Sequence, residues 1–161
     1  MKFFFSIFLF LAFSKNPEIT EIRKLYTSVL NSESNAKEFA SKLSDVSKED
    51  NKTLYAYKGA SIAILAKFKK EASEKSKSFK EGAKMVEFAV ASEPNNIEIR
   101  LIRLSIQEKT PKILKYHSNK KEDKKFLLDH YKGQSGNLKE FVKNFILQSK
   151  SFSTAEKQTI N

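Results

Sequence analysis

Residues 97–108 read IEIRLIRLSIQE, and the placement of apolar side chains in that stretch decides the fold. On a helical wheel Ile97, Leu101 and Leu104 share one flank, while Ile99, Ile102 and Ile106 share the opposite one. A helix apolar on two sides is sandwiched between neighbours. The stretch is therefore expected to be the inner helix of a packed helical array. Along one edge runs a polar stripe, Asn96, Arg100, Arg103 and Gln107, spaced by four, three and four.

The neighbours of this stretch carry the same helical period. Upstream, Phe79, Gly82, Val86 and Ala89 line one face of a helix, with Ala83, Met85 and Val90 beside them. Pro94, Asn95 and Asn96 then end that helix and start the next. Residues 71–78 are rich in lysine and serine and read as a linker. Before it, residues 52–71 place the small side chains of Ala56, Gly59, Ala60, Ala63 and Ala66 at helical spacing, flanked by Leu54, Tyr57, Ile64, Leu65 and Phe68. Small residues on a helix face admit a second backbone at close range. Gly59 costs about 1 kcal/mol of helix propensity relative to Ala, which close packing explains. Nearer the start, Asn16 and Pro17 open a helix with the stripe Ile19, Ile22, Tyr26, Val29 and Leu30. A short helix capped near Ser32 or Ser34 follows, with Ala36, Phe39, Ala40 and Leu43 inward.

Downstream, residues 111–116 form a short helix or connector, residues 122–131 a helix through Phe126, Leu127 and His130, and residues 133–137 a loop. A last helix over 138–150 buries Leu138, Phe141, Val142, Phe145 and Ile146. The tail from about residue 151 is expected to be polar and frayed. Only four Gly and three Pro occur in 161 residues, and strand-like alternation is scarce. The expectation is all-α: about six to seven helices in one domain over residues 15–161, stacked as antiparallel hairpins.

The chain opens MKFFFSIFLFLAFS, with a cation at Lys2, an apolar run from Phe3 to Phe13, and small residues at Ala12 and Ser14. That is the layout of a signal peptide, cleaved near Ser14, which places the protein in the periplasm or outside the cell. This run of eleven residues, broken only by Ser6, falls short of the roughly 20 a spanning helix needs, and the mature chain holds no candidate span. Cysteine is absent, which removes thiol chemistry, Cys-based zinc sites and a lipid-bearing Cys.

A net charge of +11 suggests attraction to anions. Only Arg23, Arg100 and Arg103 are arginines, however, and the lysines are interleaved with Asp and Glu. Arginine is the residue that grips phosphate bidentately, so nucleic acid is not an expected partner. Charge alone reads as a solvated surface.

Residues 79–96 resemble the second helix of a tetratricopeptide (TPR) repeat and its exit. Gly82, Val86, Ala89 and Pro94 match that family's small, large, alanine and proline positions, and the helix carrying Gly59 and Ala60 resembles the preceding partner. The resemblance covers about a quarter of the chain and implies hairpin packing. More loosely, the run from Tyr57 to Arg100 is similar to uncharacterised exported proteins of flavobacteria-type organisms, which implies location and fold without an activity.

The polar stripe of Asn96, Arg100, Arg103 and Gln107 is the candidate partner-binding site, since two arginines side by side suit a carboxylate. Its alternative is internal, each arginine pairing with a carboxylate such as Glu87 or Glu93. Tyr55, beside Asn51 and Lys52, is a further candidate groove residue, whereas Tyr57 belongs with the packing stripe. His117 and His130 form no metal-ligand pattern, Glu122 and Asp123 read as solvated, and no nucleophile or phosphate-loop motif is present. Neither an enzyme nor a cofactor is expected. The chain reads as an exported helical scaffold that binds a protein or peptide. The alternative is a protein adsorbing through its lysines to an anionic lipid or polysaccharide of the envelope, which salt would weaken far more steeply.

Overall fold

A computed structural model describes residues 16–160; the expected signal peptide at residues 1–14 lies outside them. Among the described residues the chain is all-helical, with eight α-helices and no strand. These are α1 (Ile19–Ser28), α2 (Glu33–Lys42), α3 (Lys52–Leu65), α4 (Ala72–Ser92), α5 (Ile97–Lys109), α6 (Lys120–His130), α7 (Gly136–Gln148) and α8 (Thr154–Gln158). None is long and apolar enough to cross a membrane.

The two-sided pattern of α5 becomes a division of the core. Ile99, Ile102 and Ile106 enter one apolar cluster with Ile22, Phe39, Tyr57 and Val86, drawn from α1 to α4. Ile97, Leu101 and Leu104 enter a second with Leu127, Val142 and Ile146, drawn from α6 and α7. All six of these α5 side chains are buried. Each contributes about 1.5–3 kcal/mol by leaving water, so one short helix holds both halves of the molecule.

In the first half, α3 and α4 form a hairpin closed by a 3-10 turn at Ala66–Phe68. The side-chain amide of Asn96, in the turn that follows α4, donates to Thr53 Oγ1 at the start of α3, 3.1 Å away, so the two helices run antiparallel. They cross where Gly59 meets Gly82. A Cβ on Gly59 would lie 2.6 Å from the Gly82 carbonyl oxygen and 2.8 Å from Met85 Cβ. Here glycine is required by backbone approach, as the run of small residues implied. Beside the crossing, Tyr26, Phe39 and Tyr57 pack in tilted and edge-to-face pairs with centroids 5.1–6.0 Å apart.

Side-chain caps start α2 and α3. Ser32 Oγ accepts from the Asn35 amide at 3.1 Å, and Asn51 Oδ1 from the Leu54 amide at 3.1 Å. Several expectations are corrected. Asn16 does not cap α1; its amide donates to Asp50, and the helix begins two residues past Pro17 after an uncapped Glu18. Residues 71–78 are no linker, because α4 starts at Ala72. Ala, Glu and Lys extend a helix at little cost, and the apolar face from Phe79 onward anchors it. The loop expected over 133–137 is shorter, with α7 beginning at Gly136. The tail is not frayed. Phe152 and Ile160 are buried in the second cluster, and Ser153 with Glu156 closes a capping box on α8. That helix brings the count to eight rather than six or seven.

Candidate functional site

The two polar edges of α5 are both occupied from within. On one edge Glu98, 2 % exposed, accepts Arg23 Nε at 2.7 Å and Arg23 Nη2 at 2.6 Å from α1, and the Tyr57 hydroxyl at 2.7 Å from α3. Burial, and then the charge of Glu98, push the Tyr57 hydroxyl well above its ordinary range. Hydrogen bonding to Glu98 raises Arg23. A few residues along the same edge, the Ser105 and Tyr26 hydroxyls lie 2.5 Å apart.

The opposite edge carries the candidate arginines. Asp123 of α6 is fully buried and accepts Arg103 Nε and Nη2, both at 2.7 Å, and Arg100 Nη1 at 3.0 Å. Arg100 Nη1 also donates to Glu122 at 2.6 Å, and its Nε to the Pro94 carbonyl at 2.6 Å. Arg103 Nη1 reaches Glu87 of α4 at 3.0 Å. Burial works to lower Arg103, but the hydrogen bonds and charge of Asp123 and then Glu87 outweigh it and hold the guanidinium charged. The hydrogen bond from Arg100 holds Glu122 below the usual carboxylate range. Of the two carboxylates expected to be solvated, Glu122 is on the surface and Asp123 is not, because α6 packs against α5 along that edge.

The remaining candidates are placed separately. Asn96 Oδ1 caps α5, accepting the amides of Glu98 at 3.0 Å and Ile99 at 3.2 Å. Gln107 is fully buried, and its side-chain amide has no partner among the described residues. Tyr55 lies half-buried against Phe88, edge to face at 5.6 Å. His117 Nδ1 donates to the Gln107 carbonyl at 3.0 Å, and His130 stacks on Phe126. No group of three or more acidic or histidine side chains among the described residues is arranged to hold a metal ion.

The open feature is elsewhere. Between the end of α1, the C-terminal half of α5 and the facing side of α7, a cleft of about 690 Å³ opens. Ile106 of the first cluster and Leu101 of the second both reach it, as do Val29, Ile64, Phe79 and Phe145. The Tyr26–Ser105 hydroxyl pair sits in this cleft, and burial pushes Tyr26 up to about 12. At the rim stand Leu30, 41 % exposed, and Lys67, Lys75 and Lys109. Glu108, the one rim carboxylate, accepts from Ser149 Oγ and from the Ser151 amide. The size, the apolar lining and the few convergent hydroxyls are those of a small-molecule or side-chain pocket.

None of Asn96, Arg100, Arg103, Gln107 or Tyr55 lines the cleft. Sequence reasoning picked the polar edge of α5 that another helix covers, and passed over Tyr26 and Ser105. The available signal was Ser105 itself, a hydroxyl between the apolar flanks of an inner helix. In comparisons with known proteins, no family model, no curated protein and no solved structure matches this chain.

Proposed function

We propose that this chain is an exported, non-enzymatic helical scaffold, TPR-like in the stacking of its hairpins, that seats an apolar segment of a protein or peptide partner in the cleft beside α5. One observation carries the reading: side chains of both core clusters face a common opening of about 690 Å³ that the chain leaves unfilled. An apolar group entering there gains contact with walls already held in place, so little ordering cost falls on the scaffold. Ser105 Oγ donates to the Ile102 carbonyl and accepts the Tyr26 hydroxyl, so the pair offers acceptor lone pairs to a partner's backbone N–H. Lys67, Lys75 and Lys109 favour a partner with acidic residues beside its apolar anchor. Arg100 and Arg103 serve the same function at one remove, holding α5 against α4 and α6 so that the cleft keeps its shape.

The test is selection of peptides from a displayed random library on the immobilised chain, followed by affinity measurement on two rim variants. Leu30→Glu puts a charge at the apolar mouth, and Asn144→Trp fills it from the exposed side of α7. Both positions are exposed, so the fold is expected to survive, with an unchanged melting temperature. The expected result is peptides carrying an aromatic or aliphatic anchor that lose tenfold or more in affinity on both variants. Peptides that bind the variants as well as the parent chain overturn the reading.

A further inference from the structure

The segment after α5 carries a second surface, which borders the cleft at Lys109, Pro111 and Leu114 and turns Ile113 away from it. Residues 109–121 read KTPKILKYHSNKK: five lysines and no acidic residue. The nearest carboxylates on either side are engaged, Glu108 by Ser149 and Ser151, and Glu122 by Arg100. None of the five lysines is in an ion pair among the described residues. In the middle of this run is a tight turn, with the Leu114 amide donating to the Pro111 carbonyl and the Lys115 amide to the Lys112 carbonyl, both at 3.0 Å. Lys115 leaves it in the left-handed conformation at φ 51°, unusual for a residue other than glycine, so the chain reverses sharply. Leu114 turns inward onto the first core cluster, and Ile113 is thrust out, 85 % exposed. It is far more exposed than Leu30 or Phe88, the other large apolar side chains on the surface among the described residues.

A single aliphatic side chain at the tip of a hydrogen-bonded turn, with Lys112 and Lys115 three residues apart on it and Lys109 just before, is matched to one kind of surface. Soluble polyanions such as acidic polysaccharide satisfy the lysines and leave Ile113 in water. An anionic lipid surface satisfies both, because head groups and hydrocarbon lie within a side chain's length of each other. We propose that residues 109–115 dock on an anionic lipid surface, Ile113 entering the acyl boundary while Lys109, Lys112 and Lys115 meet the head groups. This deepens the envelope-adsorption alternative, confining it to one turn and to lipid. It does not rest on occupancy of the cleft. The turn is preformed, so docking orders little new backbone, and each lysine contributes about a fivefold gain in partitioning at low salt.

The chain contains no tryptophan, so Ile113→Trp in the full chain makes a single reporter at the tip. Its emission is read with vesicles of phosphatidylglycerol and phosphatidylcholine, with phosphatidylcholine vesicles, and with soluble dextran sulfate. Phe88→Trp, against Tyr55 on the α3–α4 face, reports contact of that face with the vesicle. The expected result is a blue shift at position 113 on phosphatidylglycerol vesicles alone, absent from the Phe88→Trp reporter. Combining Lys112→Gln and Lys115→Gln with the reporter lowers the apparent affinity by about 25-fold. Leu30→Glu at the cleft mouth leaves the shift in place, so this proposal and the cleft reading fail separately. Water-like emission at position 113 on anionic vesicles overturns the proposal. So does an equal shift at Phe88→Trp, or an equal shift on dextran sulfate.

Discussion

Asp123 carries the interior charge balance of the molecule. Its carboxylate has no exposure and is shared by two guanidinium groups whose side chains are 10 % and 5 % exposed, with Glu122 and Glu87 supplying the remaining negative charge. Charges that deep are tolerated only as a matched set, and removing one partner leaves the others desolvated without compensation. Asp123→Asn is therefore expected to lower unfolding free energy by about 3–5 kcal/mol in urea denaturation. Glu122→Gln, one residue away with its side chain 58 % exposed, is expected to cost under about 1 kcal/mol. Similar losses for the two would mean that Asp123 is solvated in practice. The arginine half of this cluster was legible in the spacing of Arg100 and Arg103, and Glu87 as an internal partner was legible too. Asp123 was not. Its neighbours Lys120, Lys121, Glu122, Lys124 and Lys125 make the segment read as solvated, and only the docking of Leu127 into the second core cluster turns position 123 inward.

Among the elements, the α3–α4 crossing is the least adjustable. Gly82 faces the Gly59 carbonyl and the backbone of Ala63, whose amide nitrogen would be 2.6 Å from an added Cβ. Backbone cannot move aside as a side-chain end can, so the helices must separate. Gly82→Ala gains about 1 kcal/mol of helix propensity, yet overpacking of this kind costs about 1–3 kcal/mol or more. A net destabilisation is expected, seen as a lower melting temperature. Gly133→Ala, where an added Cβ meets nothing within 4 Å, is expected to be neutral. A stabilised Gly82→Ala would show the hairpin to be looser than drawn. At this scale legibility follows the strength of the apolar period. The flanks of α5 and the small-residue face of α3 were readable because burial there dictates every third or fourth side chain. The first two turns of α4 were hidden by a lysine–serine composition that is polar on all sides, and α8 by its length. Phe152 and Ile160 bracket that helix and hold it through tertiary contacts that no local period announces.

Across the whole molecule, three tyrosine hydroxyls tie α5 and the segment after it to the first half of the chain. Tyr26 meets Ser105, Tyr57 donates to Glu98, and Tyr116 donates to Glu87. Burial raises all three above the ordinary phenol range, Tyr26 to about 12, with Glu98 and Glu87 raising Tyr57 and Tyr116 further. A group raised in the folded state lends stability that is complete below its unfolded value, near 10, and that is lost as pH climbs through the folded value. Above pH 10 the unfolded chain releases phenolic protons that the folded chain retains. Each retained proton then lowers unfolding free energy by about 1.4 kcal/mol per pH unit. Three such groups predict a steep alkaline loss of stability between about pH 10 and 12. In a titration, tyrosinate absorbance from these three is expected to rise together with loss of helical circular dichroism, not ahead of it. Tyr26→Phe removes one of the three linked protons, so the slope of stability against pH is expected to fall by about a third. Tyr26 also touches both core clusters and lines the cleft. A slope unchanged by Tyr26→Phe would mean that this hydroxyl titrates alike in the folded and the unfolded chain.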